Sequence, residues 1–541
     1  MTDQASVYLI GGGTADQNVS VEEVGSKAFH LMQMDRMRLP IPPAFVMSTA
    51  YCRQYFEAGR RLPEDFLERL RGHMRTLEAR TDRTFGGRRR PLLVSVRSGA
   101  PVSMPGMMET ILNVGLTDES VPGLVRMTGN PRLAWDAYRR LIQSFAEVVH
   151  GASRRAFEEV IRSSDTRDGA SLVQGLDTAA LRRLAGEYLR VFRHVVGQPF
   201  PQDVHAQLLM AVEAVFRSWD GAKAREYRRV NHIPDTAGTA ATVQSMVFGN
   251  AGGTSGAGVG FTRDPATGNP DLYVDFVFNA QGEDVVSGRR ALGTAPSLAA
   301  VLPDVHAELR QIARALEDAA GDMQDFEFTV EQGQLHILQT RAGKRTPWAA
   351  LRIATDMVRE GLITPSEGLK QLSMYDLESV HRTRLSNAGV QPDAHGMPAS
   401  VGVAVGRLAL SNERAAEFAA AGEAGILVRR DIATEDIAGI SNAEGVVALR
   451  GARTSHAAVV ARQLGKVCLV GCSEISIRAD AGDAQIGART VHEGDWLSVD
   501  GNTGDIFIGR MEVRSERPEE LLEVVARWRL AGGNLDAART V

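Results

Sequence analysis

Between Gly451 and Gly471 the chain reads GARTSHAAVVARQLGKVCLVG, and His456 is the side chain in it best suited to carrying a transferred group. Thr454 and Ser455 precede it, Arg453 stands one residue earlier, and a run of small apolar residues follows. GVVALR (445–450) reads as a buried strand and KVCLVGC as the next one. Between them a helix is expected from Ser455, with Ala457, Val460, Ala461 and Leu464 on one face. His456 then falls in the first helical turn, where unpaired N–H groups and the positive end of the dipole favour an anion. A neutral imidazole is a competent nucleophile near pH 7. A phosphoryl group on it would be held by those amides, by the two hydroxyls and by Arg453. The same pattern also fits a plain helix cap at Thr454 or Ser455 with His456 as a bystander.

Two further stretches carry groups that suit a polyphosphate. FGNAGGTSGAGVGFTRDPATG (248–268) reads as a glycine-rich turn between strand-like segments, whose amides could close over phosphates. It lacks the Gly-Lys-Ser/Thr of a P-loop and opens no helix, and GGGTADQ near the start does not satisfy a dinucleotide fingerprint. In DFEFTVEQGQLHILQTR (325–341), EQGQ makes a hairpin-like turn between alternating runs. Asp325 and Glu327 alternate with Phe326 and Phe328, so both carboxylates face one way; Gln339 and Arg341 do the same on the returning strand. Two acids, an amide and a guanidinium suit Mg²⁺ and phosphate oxygens, and equally the solvated face of an antiparallel sheet.

Around these residues the chain is ordinary in composition: 541 residues, 44% hydrophobic and 23% charged, too long for a single core. A net charge of −5 gives no electrostatic reason to expect nucleic acid. Arg88–Arg90 in FGGRRRP reads as a solvated turn. Cys52, Cys468 and Cys472 suit packing in a reducing compartment, with no zinc spacing. No signal-like start or membrane-length apolar run is present, so the cytoplasm is expected. Only five lysines occur, leaving 56 of the 61 basic residues as arginine, and Lys27 is one of those five.

The elements that must position these groups follow from periodicity. VYLIGG, AFVMSTAY and PLLVSVRSG read as strands, and PEDFLERLRGHMRTLEAR as an amphipathic helix. Residues 131–230 read almost wholly as helix, and strands resume at ATVQSMVFGN and DLYVDFVFNAQGE. A Pro-bearing helical connector is expected from Arg345 to about Gly396. Short strands and Gly turns follow, and a final helix with a loose end covers RPEELLEVVARWRLAGGNLDAARTV.

Taken together, VYLIGGG, GSKAFHLMQM, SVRSGAPVSMPGMMETILNVGL, YRRLIQSF, SGAGVGFTRDPATG, NAQGEDVVSG, LQTRAGKRT and TSHAAVVAR resemble the pyruvate phosphate dikinases, of the phosphoenolpyruvate-utilising phosphohistidine family, over about residues 7–515. The resemblance implies a mixed α/β and α+β multidomain chain. It would have an ATP-grasp-like nucleotide-binding domain (1–345, its helical part about 120–235), a helical linker (346–395), a β/α swivelling phosphohistidine domain (396–511) and a helical tail (512–541). In the family ATP and phosphate give AMP and pyrophosphate, and the β-phosphoryl group ends on the histidine, here His456. By the same resemblance Lys27 and Arg97 contact the triphosphate, and Gly253, Thr254, Ser255 and Gly256 form a lid. Asp325, Glu327, Gln339 and Arg341 bind nucleotide and metal, with Glu327 and Gln339 as ligands of Mg²⁺ or Mn²⁺. Asp275, where the family usually has glutamate, and Glu283 are further nucleotide candidates. GARTSH stands where GGMTSH is usual, which puts the Arg453 charge beside the phosphoacceptor.

The family's chains continue into a barrel that binds pyruvate or phosphoenolpyruvate, and LAGGNLDAARTV does not look like its first strand. The expectation is a phosphoryl donor and carrier whose acceptor is bound elsewhere: pyruvate on a separate barrel protein, or another small molecule. A phosphocarrier that signals through phosphorylated His456 is the alternative. Neither reading involves nucleic acid or a membrane.

Overall fold

The computed structural model describes residues 5–13, 15–16, 18–102, 104, 107–164, 176–282, 285, 297–386, 389–432, 436–451, 460–462, 464–478 and 482–537. The chain divides into two compact units, Met1–Gly252 with Val330–Thr340, and Gly253–Thr329 with Arg341–Val541.

The first unit is built on an antiparallel sheet of β1 (Val7–Ile10), β2 (Ala44–Met47), β3 (Val94–Gly99), β4 (Thr110–Val114) and β5 (Ala240–Ser245), in the order β1-β2-β5-β3-β4. Alternation sorts its residues: Phe45, Met47, Val94, Val96, Ala241 and Val243 enter the hydrophobic core, leaving Ser95, Arg97, Thr242 and Gln244 on the opposite face. That core continues into the expected helical region. Helix α2 (Pro131–His150) starts with Pro at its first position, with the Asn130 side chain capping Leu133 N, and ends at Gly151 in the left-handed conformation. Helices α3 (Thr178–Val196) and α4 (Val204–Trp219) are capped by Asp177 and Asp203. Phe200 ties the group together, its ring edge-on to Tyr138, Phe145 and Phe192 at 5.3–5.9 Å between centroids.

The second unit begins with β6 (Gly256–Phe261), antiparallel to β7 (Tyr273–Phe278). Much of the glycine run read as a loop is therefore strand. A Cβ at Gly256, Gly258 or Gly260 would lie 2.1–2.5 Å from the rings of Phe276, Phe328 and Phe326. The glycines make room for aromatic side chains arriving from β7 and from β8 (Gln324–Glu331). After β8, Gln332 and Gly333, both at positive φ, turn the chain into β9 (Gln334–Ala342), the hairpin that EQGQ signals.

Just past β6, Arg263 is buried and clamps two helices. It bonds Glu317 on α5 (Pro303–Ala320) at 3.0 Å and Glu360 on α6 (Pro347–Glu360) at 2.6 Å. Removing one partner of such a cluster strands a buried charge. Arg263→Met is expected to cost about 3–5 kcal/mol in chemical denaturation, part of it recovered by adding Glu317→Gln. A cost below about 1 kcal/mol, the range of exposed pairs, would contradict this account.

Helix α7 (Pro365–Leu372) follows α6, but beyond it the connector holds only a 3-10 turn at Leu377–Ser379 before β10 (Arg382–Leu385), which pairs antiparallel with β19 (Val513–Glu516). The C-terminal stretch thus opens with a strand before helix α8 (Glu519–Ala537), which packs on α6 and α7. Between them lies an eight-stranded sheet of β11 (Ala394–His395), β12 (Met397–Ser400), β13 (Val403–Ala409), β14 (Gly425–Arg429), β15 (Gly445–Ala448), β16 (Val467–Val470), β17 (Trp496–Asp500) and β18 (Asp505–Ile508), in the order β11-β18-β17-β13-β14-β15-β16-β12. Strands β13 to β16 run parallel and are nearly all apolar, as a strand covered on both faces must be. The three cysteines are buried free thiols, with burial pushing each pKa up to about 12, which fits packing. No helix among the described residues is long and apolar enough to cross a membrane.

Candidate functional site

Lys27 lies on α1 (Val21–Arg36), which is broken at Gly25 (φ 74°, ψ 158°). At the break the helix meets the end of β3. A Cβ on Gly25 would stand 2.0 Å from Gly99 O, and Ser26 bonds Ala100 O through its N–H (2.9 Å) and hydroxyl (3.1 Å). This contact brings together the backbones that carry Lys27 and Arg97, each two residues from the touching glycines. Sequence reading singled out the lysine but not the glycine that places it. Asp35, also on α1 and buried, accepts from Gly13 N (2.8 Å) and Ala15 N (3.0 Å), while Arg80 Nη1 donates to Ile10 O and Gly11 O. The GGG segment is thus held by its amides on one side and its carbonyls on the other.

Arg97 projects from the polar face of the sheet and donates through Nη2 to Gln339 Oε1 at 3.3 Å. Two of the expected residues, 242 positions apart, are therefore partners within the first unit.

In the second unit, Asp325 and Glu327 alternate with the buried Phe326 and Phe328, as the pattern predicts. Both Asp325 carboxylate oxygens lie 2.7 Å from Arg341 Nε. Burial pushes the Asp325 carboxyl up to about 6, outweighing Arg341, and the neighbouring Glu327 charge adds to the rise; burial disfavours the Arg341 charge, but the Asp325 and Glu327 carboxylates together raise its pKa. Glu327, half-buried, has no ion-pair partner among the described residues.

Of the four expected lid residues, Gly253 and Thr254 are exposed, whereas Ser255 and Gly256 are buried. The Ser255 carbonyl accepts from Asn279 N, and Gly256 opposes Phe278 in the ladder. Asp275 is buried on β7 opposite Val259. Glu283, Arg453, Thr454, Ser455 and His456 lie outside the described residues. The chain on either side of that histidine segment is described. Strand β15 ends at Ala448, and Val460 and Ala461, helical and buried, pack with Phe418 and Ile440. Leu464, expected on the same apolar face, is 42% exposed because the helical stretch ends before it and Gly465 turns the chain.

No group of three or more His, Cys, Asp or Glu side chains among the described residues could hold a metal by itself. The oxygen donors of Glu327 and Gln339 are of the hard type that suits Mg²⁺, an ion that commonly completes its shell with substrate phosphates and water.

Residues 59–294 match the family model of the pyruvate phosphate dikinase AMP/ATP-binding domain, and residues 421–504 match that of the mobile domain of PEP-utilising enzymes. The chain is thus a mixed α/β multidomain protein that joins a dikinase nucleotide-binding domain to a PEP-utiliser domain. In both segments it is similar to the pyruvate phosphate dikinases. It is 42% identical over 509 residues to the pyruvate, phosphate dikinase of Clostridium symbiosum (93% of this chain, 58% of that one). It is 42% identical over 529 residues to that of Rhizobium meliloti (95% and 58%), and 40% identical over 529 residues to the chloroplastic pyruvate, phosphate dikinase 1 of Arabidopsis thaliana (97% and 55%). The chain spans a little over half the length of these relatives.

Proposed function

We propose that this protein is an ATP-dependent phosphotransferase that phosphorylates His456, releases AMP and hands the phosphoryl group to an acceptor bound outside these 541 residues. The observation that carries the reading is the presence, in one chain and in this order, of matches to an AMP/ATP-binding domain and to a mobile domain of PEP-utilising enzymes. In this reading residues 1–345 are an ATP-grasp-like domain, 346–395 a linker, 396–511 a swivelling domain and 512–541 a tail.

An imidazole nitrogen of His456 attacks the β-phosphorus of ATP, the bond to the AMP oxygen breaks, and AMP leaves. The γ-phosphoryl group passes to inorganic phosphate, giving pyrophosphate and leaving the β-phosphoryl on nitrogen. Lys27 and Arg97, whose backbones the Gly25–Gly99 contact joins, neutralise the triphosphate. Asp325 orients Arg341 toward the same task. Glu327 and Gln339 would hold Mg²⁺ or Mn²⁺, and the bound ion would withdraw charge from the phosphate oxygens. Thr454, Ser455 and Arg453 would steady the phosphoryl group on His456. The acceptor is pyruvate bound outside these residues, or another small molecule.

The test is the purified 541-residue chain supplied with ATP, Mg²⁺, phosphate and pyruvate. AMP equal to the enzyme present, with ATP–AMP exchange and no phosphoenolpyruvate, is the expected result. Sustained phosphoenolpyruvate would locate an acceptor site within this chain, and ADP in place of AMP would overturn the dikinase chemistry. Free phosphate in place of pyrophosphate would assign the γ-phosphoryl to water.

A further inference from the structure

We infer that Gln244 is a positioning residue that fixes the Arg97 guanidinium for the triphosphate; the inference rests on the proposed role of Arg97. Gln244 is the penultimate residue of β5, 2% exposed, on the strand between β2 and β3. The register sets Ser95 opposite Gln244 and Arg97 opposite Thr242, so Gln244 and Arg97 are diagonal neighbours on the polar face. A buried amide there is costly unless both its ends are bonded. Both are: Oε1 accepts from Arg97 Nη1 at 3.5 Å, and Nε2 donates to Pro42 O at 3.2 Å.

The chemistry of the two neighbours selects the residue between them. A guanidinium only donates and a peptide carbonyl only accepts, so the group joining them must present one acceptor and one donor. An amide does so. A carboxylate would turn a lone pair toward Pro42 O, and an apolar side chain would satisfy neither. The Pro42 end is itself anchored, since the next residue, Pro43, accepts from Ser245 N at 2.9 Å and leads directly into β2. With Gln339 on Nη2, the guanidinium is held at both terminal nitrogens by carboxamides from two different strands. ATVQSMVFGN reads simply as a strand, and only the register reveals that its glutamine faces Arg97.

The experiment is a double-mutant cycle on ATP affinity, using Gln244→Met, which keeps the volume and removes both polar ends, together with Arg97→Ala. Loss of one hydrogen bond to a charged donor predicts about tenfold weaker ATP binding for Gln244→Met, with less than about a twofold effect in the Arg97→Ala background, since contacting residues are not additive. Wild-type affinity, or the same loss in both backgrounds, would overturn the inference. A second readout needs no nucleotide: phenylglyoxal modification of Arg97, followed by mass spectrometry, should be several-fold faster in Gln244→Met, and an unchanged rate counts against the hold. If Arg97→Ala itself binds ATP normally, the triphosphate role of Arg97 falls, and the modification rate still decides whether Gln244 holds it. Should Gln244→Met fail to fold, Gln244→Asn, which withdraws the amide by one methylene, enters the same cycle with the same expectations.

Discussion

His456→Ala, incubated with Mg²⁺ and ATP labelled at the β-phosphorus, is expected to acquire no label, whereas the wild-type chain becomes labelled in an acid-labile, base-stable form. That stability profile belongs to a phosphorus–nitrogen bond: acid protonates the nitrogen and makes it a good leaving group, while base leaves it intact. The effect should be total, because without the nucleophile there is no covalent intermediate to accumulate. Thr454 and Ser455 stand beside it, but their hydroxyls give phosphate esters that withstand acid, so the acid treatment separates the outcomes. Undiminished acid-labile label in His456→Ala, or label mapped to any other residue, would sink the assignment. The chain around the histidine offers a reason for the variant to fold. Strand β15 and the packed Val460–Ala461 pair hold the described chain on either side of the segment through apolar contacts.

The second large effect is expected at Gly25, well outside the reacting groups. Alanine there meets two obstacles: φ of 74° is a conformation that residues with a Cβ rarely adopt, and that Cβ would sit 2.0 Å from Gly99 O and 2.4 Å from Gly99 C. Backbone lies on both sides of the clash, so no rotamer change relieves it. The helix must back away from β3, losing the Ser26–Ala100 bonds. Strain of about 1–3 kcal/mol and two lost hydrogen bonds of about 1 kcal/mol each predict an unfolding cost of roughly 3–5 kcal/mol. The displacement should lower His456 phosphorylation about a hundredfold or more, since a misplacement of about 1 Å is enough for that. Denaturation and single-turnover labelling measure the two effects. Wild-type labelling in Gly25→Ala would mean that the Gly25–Gly99 contact does not place Lys27 for catalysis.

What the sequence determined by itself is what depends on near neighbours in the chain. Helix α2 is marked by Asn130 and Pro131 at its start, Gly151 at its end, and apolar residues at three- and four-residue intervals. The EQGQ turn is marked by a residue pair tolerant of positive φ between two alternating runs. The motifs GSKAFHL, SVRSG, LQTRAGKRT and TSHAAVV suggested the dikinase resemblance by the same local route. The tertiary structure decided the rest, because the partners are far apart in sequence. The glycines of GAGVGF looked like a phosphate loop until Phe276, Phe326 and Phe328 arrived from other strands to occupy the space that Cβ atoms would need. VRSE (513–516) has no apolar alternation to announce a strand; pairing with Arg382–Leu385, about 130 residues earlier, supplies the hydrogen bonds that make it one. Arg97 was legible as a candidate, but its setting between Gln244 and Gln339 was not. Strand register, fixed by burying Val96 and Val243 on the opposite face, places Gln244 beside it, and Gln339 comes from β9, a strand of another sheet.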